Sequence, residues 1–76
     1  MVHAFVMVKT GAGKAEAMVD SARGIASISE AHIVAGDYDL IAEVDTEEVY
    51  DVLQTASSEL QSLDGVESTK TYISLE

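Results

Sequence analysis

The sequence predicts an α+β domain in which a four-stranded antiparallel sheet carries two helices on one face, in the order βαββαβ. Three observations predict it: period-two alternation at both ends and in a central pair of segments, helical spacing in the two stretches between, and glycine-bearing turns at the joints. With 76 residues there is room for one core, so residues 1–76 are expected to form a single domain.

From Val2 to Lys9, the residues Val2, Ala4, Val6 and Val8 alternate with His3, Phe5, Met7 and Lys9, giving a strand with two largely apolar faces. Thr10-Gly11-Ala12-Gly13 is a turn. After it Ala15, Met18, Val19 and Ala22 fall at helical spacing, in a helix from Lys14 to about Arg23 that Gly24 stops. Ile28–Ala35 and Tyr38–Val44 read as a hairpin about Gly36-Asp37. Asp45 or Thr46 is placed to cap a second helix, whose apolar stripe of Val49, Val52, Leu53, Ala56, Leu60 and Leu63 ends at Asp64-Gly65. Val66–Leu75 is the last alternating strand. Ile25-x-x-Ile28 and Leu63-x-x-Val66 lend the two helix-to-strand joints a faint likeness.

Right-handed crossovers put both helices on one side of the sheet, the ferredoxin-like arrangement, and leave the other side bare. Phe5 with Met7, or else the valines of the first strand, together with Ile33, Ile41 and Ile73, are the candidates for that bare face. Soluble monomers rarely expose such a patch, and a chain this short gains only about a few kcal/mol from one core. Both arguments predict a two-fold dimer formed through the sheets.

Four Lys and Arg against 14 Asp and Glu give a net charge of −10 and a pI near 4.2. That charge repels phosphate backbones and anionic membranes, so neither nucleic acid nor membrane is an expected partner. It also self-repels at low ionic strength, which predicts assembly suited to a high-salt cytoplasm. A composition 47% hydrophobic predicts a folded chain. The absence of cysteine excludes disulfides, thiolate metal sites and cysteine nucleophiles, and makes the cytoplasm the expected compartment. The first residues carry no secretory pattern, so export is not expected.

Few residues carry obvious chemistry. Gly11-Ala12-Gly13-Lys14 resembles a phosphate loop, but Ala15 stands where Ser or Thr would hold magnesium, so an ordinary turn is expected. His3 and His32 have no carboxylate or cysteine at a recurring metal spacing. Ser57 and Ser58 lie in the long helix without a nucleophile motif. Asp37 and Asp39 flank Tyr38 at a turn too short to supply calcium with six to eight oxygens. No catalytic residue, metal ligand or cofactor is therefore expected.

Glu30-Ala31-His32-Ile33-Val34 followed by Ala35-Gly36-Asp37-Tyr38-Asp39-Leu40-Ile41-Ala42-Glu43-Val44 resembles the central hairpin of the RAM effector domain of the Lrp/AsnC family. Ala4–Thr10 and Gly65–Ile73 resemble its first and last strands, so the likeness covers essentially the whole chain. It implies a βαββαβ fold, dimers joined through their sheets, rings of dimers, and amino acids bound at subunit junctions. It further implies that Gly36, Asp37, Tyr38 and Asp39, with Thr69 and Thr71 and more weakly Met7, contribute to an effector pocket. A carboxylate such as Asp39 would pair with the ligand's ammonium. The chain departs from the family in two ways: it begins at the first strand, with no helix-turn-helix domain, and it has Ala26-Ser27 where Pro-Gly is common. The expected function is thus a stand-alone amino-acid-sensing and oligomerisation module in transcriptional regulation, not an enzyme, that acts by assembly or through a full-length regulator. Two alternatives are a small dimeric enzyme of monooxygenase or isomerase type, which requires a histidine or carboxylate in a deep cleft, and an interaction module without ligand.

Overall fold

The strand β1 (Val2–Thr10) runs through the middle of the sheet because its Ala4, Val6 and Val8 side has no polar atom to satisfy and is fully buried. A computed structural model describes the chain from Met1 to Glu76 apart from the side chain of Ser57. After β1 come α1 (Ala15–Arg23), β2 (Ile28–Ile33), β3 (Leu40–Thr46), α2 (Val49–Gln54), a π-helical turn (Thr55–Leu60) and β4 (Val66–Ile73). The sheet order is β2-β3-β1-β4, with every neighbouring pair antiparallel. The predicted architecture is the one observed.

The core fills the space between this sheet and the helices. Large and small residues alternate across the central pair, with Ala4 opposite Val44, Val6 opposite Ala42 and Val8 opposite Leu40. Met18, Val19 and Ala22 of α1 and Val52, Ala56 and Leu60 of the second helical segment close over them.

The second helix differs from its sequence reading. Val49 and Leu53 are about half exposed, and Thr55, absent from the predicted stripe, is buried. After Gln54 the winding widens to i→i+5, and Gln61 N–H reaches Ala56 O. Val52, Ala56 and Leu60, each four residues apart, then stay on one face while the i+1 neighbours of the stripe turn outward. Thr55 is satisfied internally, since its hydroxyl donates to Asp51 O and accepts from Ser27 Oγ. The expected caps also fail. Asp45 and Thr46 remain in β3, where Asp45 is held by His3 and Thr46 Oγ1 donates to Glu48 O, so α2 starts without a side-chain cap.

The joints confirm the faint likeness. Ile25 N–H bonds Ala22 O and Ile28 N–H bonds Ile25 O; Leu63 N–H bonds Leu60 O and Val66 N–H bonds Leu63 O. Ser27 fixes the first joint further, accepting from Asp45 N–H at its carbonyl. Gly65 adopts φ 101, a conformation that side-chain-bearing residues avoid. Gly24 ends α1 at an ordinary φ of −81, its N–H bonded back into the last turn.

The hairpin is wider than predicted. Register pairs Ile33 with Leu40, and Val34 N–H bonds Asp39 O, so residues 34–39 form a loop and not a tight turn at Gly36-Asp37. β4 likewise ends at Ile73, short of Leu75.

Candidate functional site

Pairing settles which side chains share the open face. His3, Phe5, Met7 and Lys9 lie with Ile41, Glu43 and Asp45 of β3 and with Lys70 and Tyr72 of β4. Ile73 is directly opposite the buried Ala4, and Ile33 opposite the buried Leu40, so both belong to the helix side and not to the bare face. The apolar part of the open face is a strip from Ile41 through Met7 and Phe5 to Tyr72. Its corner beside β2 is polar.

At one end of the strip a cleft of ≈ 390 Å³ is lined by Met7, Tyr72 and the hairpin loop Val34, Ala35, Gly36, Asp37 and Tyr38. The loop is held at its neck. Asp39 N–H bonds Val8 O at 3.0 Å, Asp39 Oδ2 accepts Thr10 N–H at 2.9 Å, and Lys9 Nζ donates to Asp37 O at 3.4 Å. Of the residues singled out from the sequence, Met7, Gly36, Asp37 and Tyr38 are brought together here. Asp39 is turned to the neighbouring turn, where it lines a cleft of ≈ 250 Å³ with Thr10–Gly13. Thr69 and Thr71 pair with the buried Val8 and Val6, which puts them on the opposite face, and Gln61 Nε2 donates to Thr69 Oγ1 at 2.8 Å. Tyr72 was missed because only strand register shows that it shares a face with Met7.

A second group escaped sequence reading altogether. His3 Nδ1 is 2.6 Å from Asp45 Oδ1, and its Nε2 is 3.1 Å from Glu43 Oε1. The hydrogen bond that His3 Nδ1 donates to Asp45 raises the His3 pKa above 6.5, with Glu43 adding to it, and the same bond lowers the Asp45 carboxyl below 3.8. His3 also meets Phe5 edge-on at 4.9 Å. Beside this pair, His32 Nε2 is 3.1 Å from Glu30 Oε1, and one ligand atom each from Glu30, His32 and Glu43 lie within 4.8 Å of one another. The sequence reading expected no such grouping of histidine with carboxylate. Both histidines are on the open face with about a third to a half of their side chains exposed, not in a deep cleft. Of the serines considered as nucleophiles, Ser58 is exposed and Ser57 lies outside the described residues.

The family model described as the Lrp/AsnC ligand binding domain matches residues 3–76. The Thermus thermophilus protein TTHA0845 is 28% identical at a TM-score of 0.95, over 100% of this chain and 95% of its own. FFRP-DM1 is 31% identical at a TM-score of 0.91, over 99% of this chain and 100% of its own. The transcriptional regulator NMB0573 of Neisseria meningitidis, solved as an L-Met complex, shares the fold at 18% identity and a TM-score of 0.86, over 99% of this chain and 50% of its own. No curated protein matches the chain.

Proposed function

The chain belongs to the Lrp/AsnC ligand-binding-domain family, and from that premise we propose that it is a module that senses an amino acid and acts in transcriptional regulation by its assembly or through a full-length regulator. Domains of this family are found in transcriptional regulators and not in enzymes. The observation that carries the reading is the cleft in which a glycine-bearing loop, Met7 and Tyr72 meet beside the apolar strip of the sheet. A loop of this kind offers backbone groups to an α-amino acid, Asp37 offers a carboxylate to its ammonium, and Met7 and Tyr72 offer an apolar wall. The L-Met complex of the structurally similar Neisseria regulator supports an amino acid as the ligand class.

Two sheets joined through Phe5, Met7, Ile41 and Tyr72 give the dimer. Such a pairing sets the cleft beside a junction between copies, and in a ring of dimers Thr69 and Thr71 enter a site only from a neighbouring copy. Asp39, bonded to Thr10 N–H, holds the loop in place in this arrangement.

A ligand bound only by the folded, assembled state stabilises it by about 2.7 kcal/mol at a hundred times its Kd. Thermal melts and native mass of the chain against twenty amino acids test the proposal. The expected result is a concentration-dependent rise in Tm with one amino acid or a small group of them, accompanied by a change in assembly. No shift in Tm or mass with any of them refutes sensing.

A further inference from the structure

We propose that the polar corner of the open face is a binding site for a divalent transition-metal ion, Zn²⁺ being the best fit, with Glu30, His32 and Glu43 as ligands and His3, held by Asp45, as the residue that positions Glu43. The site does not depend on the amino-acid reading.

The register of the sheet builds it. β2 pairs with β3 through an irregularity between Ile28 and Glu30, and beyond it Glu30 lies directly opposite Glu43. Bulges re-aim side chains, and here the result is a like-charge pair across two strands, an arrangement that is destabilising by itself. A cation between the two carboxylates removes that repulsion, and two carboxylates neutralise a divalent ion. In a chain of net charge −10, with only four Lys and Arg, other cations are scarce.

The donors suit the ion. A tetrahedral Zn²⁺ with ligands at about 2.0–2.1 Å holds its donor atoms about 3.3 Å apart. Glu30 Oε1 and His32 Nε2 are separated by 3.1 Å. Glu30, His32 and Glu43 already bring donors within 4.8 Å of each other, on partly exposed side chains that can close the remaining distance by rotation. Imidazole and carboxylate together favour zinc and its neighbours over magnesium or calcium, which prefer all-oxygen shells.

His3 supplies an independent sign. Its Nδ1 is taken by Asp45 at 2.6 Å, which fixes the ring and turns Nε2 toward Glu43. A ligating carboxylate hydrogen-bonded by an outer group that is itself held in place is how metal sites commonly orient their ligands. All five residues come from one chain, so the site needs no second copy.

The test is titration of the tag-free, chelator-treated chain with Zn²⁺ in competition with a chromophoric chelator, with Mg²⁺ as the parallel ion. The expected result is one Zn²⁺ per chain, at least tenfold preference over Mg²⁺, and at least tenfold weaker binding in Glu30→Gln and in His32→Ala. Both positions are exposed, so these variants keep the fold, as metal-free melts will verify. Asp45→Asn weakens binding about 10–100-fold, as loss of an outer group that orients a ligating residue does. No uptake against the chelator, or uptake unchanged in both Glu30→Gln and His32→Ala, overturns the site.

Discussion

Replacing Met7 by glutamate separates the fold of the single chain from its association. Met7 is partly buried near the centre of the open face, opposite Ile41 on one side and Lys70 on the other. In the isolated chain a glutamate there keeps its water and gains Lys70 as a cross-strand partner, so the domain folds. Between two sheets the same carboxylate loses its water, at a cost of about 3 kcal/mol per charge even with a partner. Two-fold symmetry counts every substitution twice, so the dimer loses about 6 kcal/mol, or roughly 10⁴-fold in Kd. Sedimentation over a dilution series measures this directly, with Asp20→Asn on the exposed side of α1 as the control. A Met7→Glu chain that dimerises as tightly as the parent would refute sheet-to-sheet association, because no interface through this strip can ignore a buried charge at its middle.

Three further outcomes are expected. Gly65→Ala places a methyl group at φ 101 and 3.2 Å from Met18 Cε, and is expected to cost about 1–2 kcal/mol, a fall in Tm of about 4–16 °C for a domain of this size, read by thermal melting. In chelator-containing buffer the His3–Asp45 pair has a defined pH window. The raised His3 pKa contributes stability fully below pH 6.5 that is lost as pH rises through its folded value, and the depressed Asp45 pKa contributes stability above 3.8 that is lost as pH falls through its own, so the Tm gap to Asp45→Asn should be widest between those limits and narrow at pH 9. Because each copy carries −10, raising ionic strength from about 0.01 to 1 M, which shortens screening from about 30 to 3 Å, should tighten association, and assembly unchanged over that range would remove the high-salt reading.

Local chemistry was legible in the sequence, and geometry that depends on long-range pairing was not. Alternation in Val2–Lys9 named the buried side of β1, and Ala15, Met18, Val19 and Ala22 marked the inner face of α1, because each pattern reports a single element against a single layer. The π-helical turn was invisible, since nothing in Thr55–Leu60 announces a change of winding, and the burial of Thr55 was missed. Ile33 and Ile73 were misjudged for a related reason: a hydrophobic residue in a strand does not state which of two faces it serves until its partner is known. The candidate sites divide in the same way. The Gly36–Tyr38 loop is contiguous and readable. The association of His3 with Glu43 and Asp45, forty and forty-two residues away, exists only through the β1–β3 register, and the meeting of Glu30 with Glu43 only through the irregularity in β2.

Arg23, at the end of α1, has a wider significance than its own two hydrogen bonds. Its Nε and Nη2 both donate to Ala31 O, at 3.2 and 2.9 Å, on β2, the strand at one border of the sheet. An outer strand with vacant carbonyls is a template on which further chains add end to end, the first step toward a fibril. With this acceptor already occupied by a charged side chain, growth along that border is obstructed. The one arginine of an acidic chain thus sets a charged side chain against a border of the sheet where strand addition would otherwise begin.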